Sequence, residues 1–454
     1  MKLSLEELKK VLNETVVNAE KEDLSFIEIS TDSRKIVEGS LFIPLVGETF
    51  DGHDFIERAF NKGALMTLSE KEVPWPCMIV EDTKKAYLKI AEYYKEKINP
   101  ITIAITGSVG KTTTKEIISR VLKRKYRVHT TVKNFNNEIG VAQTILALNN
   151  QHEVLVIELG MDHFGEMHRL SQMVKPDYVV LTNIGMSHVG NFNSLDDVAQ
   201  AKFEIFDFCK ENTIAIINGD DLVIDEKIKS LNYEQKTYGY GRGLDGTVVG
   251  FQSKGIYGTR IKVKTSKEAY EIDTKAIGEH LGYSVLPSIL LGELLSVAKV
   301  DIIEGIESYI YTEKRMELMK LDEMTIVNDA YNASIESVKS ALNTLEDTPT
   351  ENKRIAFLGD ILELGYLAVS THERIGRFIR EKQIDEVIFI GNLMQNAYNE
   401  AKDNDFNECY YYPNKWHLKN KIQEHLTDDT ILLLKGSRGT KMEEIIDLIK
   451  ECKN

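Results

Sequence analysis

Positive charge is what this chain is short of: 56 Lys and Arg face 71 Asp and Glu, leaving a formal net charge of −15. That balance argues against a general nucleic-acid or anionic-membrane binder, while leaving room for a local basic pocket around phosphates. Cysteine is scarce as well. Cys77, Cys209, Cys409 and Cys452 lie far apart with no CxxC pair, so neither a zinc site nor a disulfide framework is indicated, and a reducing compartment fits. No apolar run approaches the roughly 20 residues that span a bilayer, and the amphipathic LSLEELKKVLN near the N-terminus has no apolar signal core. A soluble, cytoplasmic protein is expected. Internal repeats and low-complexity segments are also missing. A chain of 454 residues, 42% hydrophobic, exceeds one typical core, and three α/β domains are expected.

What is present is organised around residues 101–120, ITIAITGSVGKTTTKEIISR, an apolar β-rich run that breaks at glycines and then turns helical. The pattern predicts a strand, a phosphate loop and a helix. Gly107 and Gly110 let the backbone turn tightly with its N–H groups inward, and the helix beginning near Lys111 adds the positive end of its dipole. Thr106, Ser108, Val109 and Thr113 complete the predicted cradle. Lys111 is expected to reach the β- and γ-phosphates as a point charge, and the Thr112 hydroxyl to coordinate a bridging magnesium. The spacing departs from GxxxxGK[ST], because Ile105 stands where the first glycine would and the glycine present is Gly107. The plainer alternative is a strand-to-helix turn with a chance GK pair; strand, two glycines, GKTTT and helix together favour phosphate, and ATP is the expected ligand.

Along the chain, residues 1–97 mix helices with short strands and carry two turn-rich polar stretches, 31–34 and 47–53, where backbone N–H groups and Arg34 could hold a ligand. Alone, such stretches are ordinary loops. The charged segment 95–100, ending in Asn-Pro, reads as a linker. Residues 98–312 show the continuous apolar runs of a parallel sheet buried on both faces, with an antiparallel excursion from about 236 to 275. Residues 313–454 start a further alternation, predicting a second open, Rossmann-like α/β sheet. Ligands collect at the carboxyl ends of such strands, which gathers Glu158, Asn183 and the loop holding His188 at the edge of the phosphate loop.

Glu158 ends an apolar strand, where an acid can hold a metal near a triphosphate, although it can equally cap a helix. His188 could be a metal or phosphate contact, while a lone loop histidine is more often structural. Lys202 lies beside the apolar face formed by Val198, Ala201, Ile205 and Phe206; such a lysine ordinarily snorkels to water. Three clusters end strands of the last domain: 329–332, 359–365 and 435–438, with Lys435 and Arg438 as donors for carboxylate or phosphoryl groups.

TDSR at 31–34, DGHDF at 51–55, TGSVGKTTT at 106–114, NFNNEIG at 134–140, ELGMDHFGE at 158–166 and NIGMSHVGNF at 183–192 together resemble the Mur ligase family. AKFEIF at 201–206, NDAYNAS at 328–334, GDILELG at 359–365 with His372, and KGSRGTKME at 435–443 extend the likeness over nearly the whole chain. The resemblance implies a domain for the UDP end of the substrate, a central ATPase domain and a C-terminal domain that closes over both. It implies an ATP-dependent, ADP-forming ligase adding D-alanyl-D-alanine to UDP-N-acetylmuramoyl-tripeptide through an acyl phosphate, as a monomer without nucleic-acid partners. By the same likeness Lys111 and Thr112 meet phosphates and magnesium, Glu158 and His188 hold a second magnesium, and Lys202 is carbamylated. His280, Arg315 and Asp329 would face the nucleotide. Ser33, Arg34, Asn137, Glu138, Tyr331, Asn332, Asp360, Glu363, Lys435, Ser437 and Arg438 would face the other substrates.

The likeness has departures. Where the family carries HN and a further Asn three residues on against the adenine, this chain has His280-Leu281 and then Ser284; YNANP becomes Tyr331-Asn332-Ala333-Ser334-Ile335, and Ala142 replaces a proline. Loss of two amides predicts weak discrimination between ATP and GTP, and the amine is left open to a paralogous acceptor or donor. A nucleotide-switched binding protein is the rival from another class, and Glu158, His188 and Lys202 argue against it, since a switch needs no acyl-phosphate machinery.

Overall fold

Alternate residues of the strand Ile101–Thr106 enter different cores: Ile103 and Ile105 pack on one face of the central sheet, Ala104 on the other. Side chains of a strand point to opposite faces in turn, so a run that is apolar throughout must be covered twice. One cover is continuous with the N-terminal domain through Tyr87, Ile90 and Tyr94, and the other with the C-terminal domain through Leu342 and Leu358. The computed structural model describes residues 3–14, 16–18, 23–47, 49–185, 192, 194–310, 314–402, 408–427 and 429–453.

Three sheets carry three α/β domains. The N-terminal sheet has five strands, in the order Val16–Val17, Cys77–Ile79, Ala64–Ser69, Ser40–Phe42 and Glu28–Ser30, parallel except at its first edge. The central sheet has nine. Gly246–Ser253, Glu234–Gly239, Ile214–Asn218, Tyr178–Leu181, Ile101–Thr106, Val154–Glu158 and Val128–Thr130 run parallel, and Thr259–Thr265 and Ala269–Thr274 add the antiparallel excursion at one edge. The C-terminal sheet orders six strands as Glu317–Leu321, Met324–Asp329, Thr430–Lys435, Lys353–Gly359, Glu386–Ile390 and Glu408–Tyr412, with only the first antiparallel to its neighbour.

The predicted linker at 95–100 is corrected. The helix Thr83–Ile98 continues through it, capped by Asn99 at φ 48°, whose N–H donates to Lys95 O. Tyr87, Ile90, Ala91 and Tyr94 recur at helical spacing and bury one face, so charge and Asn-Pro mark only the stop signal. Tyr94 Oη donates to Leu148 O at 3.0 Å and the buried Lys95 Nζ to Lys175 O at 3.1 Å, which docks the helix on the central domain. The helix ends at Ile98, the expected first residue of the central domain. Among the described residues, no helix is long and apolar enough to cross a membrane.

Candidate functional site

The helix Lys111–Leu122 begins directly after Gly110, whose φ of 84° suits glycine. Gly107 has φ 147°, and a Cβ there would lie 2.0 Å from Thr182 Oγ1, so the loop can close on the neighbouring strand end only with glycine. The N–H groups of Lys111, Thr112 and Thr113 open the helix and have no carbonyl one turn back within it, which makes this end a place for anions. The expectation for the rest of the cradle needs correction. Ser108 N–H donates to Asn183 O at 3.0 Å and Val109 N–H to Asn183 Oδ1 at 2.9 Å, while Ser108 Oγ is bonded to Gly185 and the buried Thr106 Oγ1 donates to Leu159 O. Asn183 therefore shapes the loop, and the inward donors are those of the helix. Lys111 Nζ curls over the loop onto Gly107 O at 2.6 Å and Ser108 O at 3.3 Å. Burial pushes its ammonium toward the neutral form, Glu158 opposes that, and Arg315 adds to it.

Glu158 ends the strand Val154–Glu158 with its carboxylate pointing at the loop: Oε2 accepts from Thr112 Oγ1 at 2.9 Å and Oε1 from Asn136 Nδ2 at 2.9 Å. Two oxygen groups, Thr112 and Glu158, thus stand together where a hard divalent cation would be shared with phosphate. Among the described residues, no group of three or more His, Cys, Asp and Glu is arranged to hold a metal alone. Magnesium, which takes much of its shell from phosphate and water, needs no such group. Asn136 was missed as a site residue, although it lies in the NFNNEIG motif; its role depends on a contact to Glu158 that spacing cannot display. His188 lies outside the described residues.

Lys202 does not snorkel. It is 2% exposed on the helix Leu195–Phe203. Burial and the nearby Lys111 hold its amine well below the ordinary lysine range, only partly opposed by Asp162. A neutral amine is the form that can react with carbon dioxide.

The carboxyl edge of the C-terminal sheet presents a second constellation. Arg315 lies against Tyr331, its guanidinium carbon 4.0 Å from the ring centroid, and Arg438 is 5.9 Å from the same ring. Lys435 departs from its predicted use as an open donor: it is 2% exposed, with Nζ 2.5 Å from Asp329 Oδ2 and 3.2 Å from Asn332 O. Asp329 Oδ1 also accepts from Met316 N–H at 3.1 Å. Asp360 accepts from Met394 N–H at 2.8 Å and Ser437 Oγ from Leu362 N–H at 2.9 Å, so these two shape the edge rather than standing open on it. The buried His372 tightens the same loop, its Nε2 accepting from Ile361 N–H at 3.1 Å. Glu363, Asn332 and Arg438 remain exposed. Ser334, a departure from the family pattern, caps the helix Ile335–Glu346 through Ser337 N–H at 3.2 Å.

Near the N-terminal domain, Asn137 caps the helix Glu138–Leu146. Glu138 is paired with Lys84 at 2.6 Å and with Arg169, beside a cavity of about 140 Å³ that Asn137 and Glu166 also line. Lys84 and Arg169 were not singled out from sequence, because Lys84 meets Glu138 only across the domain junction and Arg169 only where two helices of the central domain pack together. Arg34 is exposed and bonded to Asp32 at 2.9 Å, and Ser33 is buried.

The base-pocket expectation is also corrected. Leu281 is 0% exposed and packs in the core, and the buried Ser284 Oγ accepts from Thr114 Oγ1 at 3.0 Å. Neither is open to a base, so their identities give no reason for weak ATP–GTP discrimination. His280 Nδ1 lies 2.8 Å from Ser340 Oγ, joining the central and C-terminal domains. Leu281→Asn should lower stability by about 3–5 kcal/mol, since it removes buried apolar surface and buries an amide without partners. Denaturant unfolding checks this; an unchanged midpoint would mean that position 281 opens to solvent or ligand.

Comparison with known proteins follows the same three-domain division. Protein-family models described as "Mur ligase family, catalytic domain", "Mur ligase middle domain" and "Mur ligase, glutamate ligase domain" match residues 26–104, 105–292 and 314–438. A curated relative, the UDP-N-acetylmuramoyl-tripeptide–D-alanyl-D-alanine ligase of Bacillus subtilis, is 35% identical over 458 residues, covering 99% of both chains. The crystal structure of MurF from Acinetobacter baumannii has a TM-score of 0.89 at 26% identity, covering 99% of both chains. MurF from Thermotoga maritima, solved in complex with ADP, has a TM-score of 0.81 at 24% identity, covering 93% of this chain and 97% of its own.

Proposed function

The chain belongs to the Mur ligase family, and we propose that it joins UDP-N-acetylmuramoyl-tripeptide to D-alanyl-D-alanine, converting ATP to ADP and phosphate in peptidoglycan precursor synthesis. The observation that carries this reading is the Thr112–Glu158 pair beside the Lys111 loop, with the buried Lys202 and, from the C-terminal domain, Arg315 near enough to Lys111 to interact with it electrostatically. The full-length likeness to ligases of that name supports the choice of substrates.

In this reading a carboxylate oxygen of the tripeptide attacks the γ-phosphorus, the bond to the β,γ-bridging oxygen breaks, and ADP leaves. The amine of the dipeptide then attacks the acyl phosphate carbon, phosphate departs, and the amine loses a proton. Lys111, Arg315 and the first N–H groups of the helix Lys111–Leu122 offset the charge on the transferred phosphoryl group. Thr112 and Glu158 would hold one magnesium, and Glu158, His188 and a Lys202 carbamate a second; the ions supply Lewis-acid neutralisation. Asp329 and His280 serve the nucleotide, and Asn332, Glu363 and Arg438 line the approach of the amine. Asn137, Glu138, Ser33 and Arg34 serve the muramoyl-linked substrate. Closure of the C-terminal domain keeps water from the acyl phosphate. We read residues 1–98, 99–312 and 313–454 as the three domains of a cytoplasmic monomer.

The test is direct. Purified protein with ATP, magnesium and UDP-N-acetylmuramoyl-tripeptide should release one phosphate per dipeptide joined, with mass spectrometry showing the added D-alanyl-D-alanine. Product with a single amino acid but none with the dipeptide would indicate a paralogous specificity. No phosphate release with any acceptor and amine would favour the nucleotide switch.

A further inference from the structure

The turn that presents Arg315 is built from two residues in the left-handed region, Lys314 at φ 61° and Met316 at φ 48°. Side chains other than glycine hold that conformation poorly, so two of them around one arginine persist only if the surroundings impose them. The imposing contacts are identifiable. Tyr331 N–H donates to Lys314 O at 3.0 Å, Met316 N–H donates to Asp329 Oδ1 at 3.1 Å, and Lys314 Nζ donates to Glu443 Oε1 at 2.6 Å. Asp329 is itself held by Lys435 at 2.5 Å. The turn is thus tied by three contacts to the carboxyl edge of the C-terminal sheet, two from the end of the strand Met324–Asp329 and one from the segment that follows Thr430–Lys435.

Tyr331 grips this turn twice. Its backbone fixes the carbonyl before Arg315, and its ring underlies the guanidinium at 4.0 Å, within the range in which a cation is attracted to an aromatic face. The ring also neighbours Arg438 at 5.9 Å, so two guanidiniums share one aromatic surface. Two cations gathered around a ring repel each other and together favour an anion. Arg315 in turn lies near enough to Lys111, at the start of the helix after the phosphate loop, to disfavour its charge.

We propose that Tyr331 is a positioning residue: its ring aims Arg315 at the terminal phosphate of the bound nucleotide, and its backbone holds the strained turn 314–316 that presents it. This rests on the reading in which Arg315 meets the γ-phosphate. It differs from an expected direct contact of Tyr331 with substrate, because the ring acts through the arginine. The hydroxyl is not needed for that, whereas the aromatic face is.

The experiment compares binding of ADP and of an imido-linked ATP analogue to the full-length protein by calorimetry, with turnover measured in parallel. Arg315→Ala should weaken analogue binding by about tenfold or more and leave ADP binding within about twofold. Tyr331→Leu should weaken the analogue by about 3- to 30-fold with ADP little changed, and Tyr331→Phe should stay near wild type. In the Arg315→Ala background, Tyr331→Leu should add less than about twofold, as expected when two residues act as one unit. Tyr331→Met serves in place of Tyr331→Leu if the latter fails to fold by circular dichroism.

Full analogue binding by Tyr331→Leu, while Arg315→Ala loses it, overturns the inference and leaves the role of Arg315 standing. Equal weakening of ADP and analogue by Tyr331→Leu also overturns it, since that would be a direct or general structural effect. If Arg315→Ala binds both nucleotides as the wild type does, the reading of Arg315 and the inference fall together.

Discussion

Lys111→Ala should fold normally and lose ATP turnover by about 10³-fold. The ammonium lies at the mouth of the phosphate loop, and its contacts, Gly107 O and Ser108 O, are backbone carbonyls of that same loop. Those bonds hold the lysine over the cradle; a bound triphosphate offers it a far stronger acceptor. Without it the charge on the transferred phosphoryl group loses its nearest fixed cation, an effect of about 3–4 kcal/mol for one preorganised donor. Alanine at the first position of a helix has no propensity penalty, so stability should change by less than about 1 kcal/mol. Phosphate release, read beside a denaturant unfolding curve, checks both halves. Turnover within tenfold of wild type would remove Lys111 from the site, and a collapsed unfolding transition would turn the lost activity into a folding effect.

Removing the Lys202 amine should be nearly as severe. Burial and Lys111 bias the Lys202 amine against its charged form, and it is the uncharged amine that attacks carbon dioxide: a nitrogen–carbon bond forms, a proton leaves, and the side chain becomes an anion. Such a carbamate would place a negative charge beside Lys111 and offer oxygen donors to a magnesium ion. Lys202→Ala should therefore lose activity by about 10²- to 10³-fold, and short carboxylates should restore part of it by supplying the missing oxygens. Wild-type protein in buffer stripped of carbon dioxide should lose activity and recover it with bicarbonate, and the variant should respond to neither. The sign with pH follows from the carbamate: acid returns it to amine and carbon dioxide, so bicarbonate dependence should deepen as pH falls. Labelled bicarbonate that gives no protein-bound carbamate signal by NMR would end this assignment.

The strand, loop and helix around Lys111 were legible because they are local. A strand, two glycines and GKTTT are adjacent in the chain, and a helix start follows from them with its donors and dipole. The inward lysine at 202 was visible as a position beside an apolar face, although periodicity alone gives such a residue to solvent. The misreadings share a cause. Segment 95–100 carries charge and proline, but the stripe of Tyr87, Ile90, Ala91 and Tyr94 outweighs them once a neighbouring domain is there to cover it. Leu281 and Ser284 were read by their place in a motif, and burial took both away from the base.

Residues 101–120, the alternation of apolar runs and the strand-end polar clusters were settled by sequence alone, since side-chain period, glycine freedom and helix-end donors act within a few residues. Only the tertiary structure decided how the clusters divide their work. Lys435 and Asp329 are 106 positions apart, and nothing in either loop says that one will neutralise the other. The same holds for Asn136 on Glu158, Asn183 on the phosphate loop and Tyr331 beneath Arg315. A charged or amide group can satisfy many partners, and which one it takes depends on what folding brings within about 3 Å and removes from water.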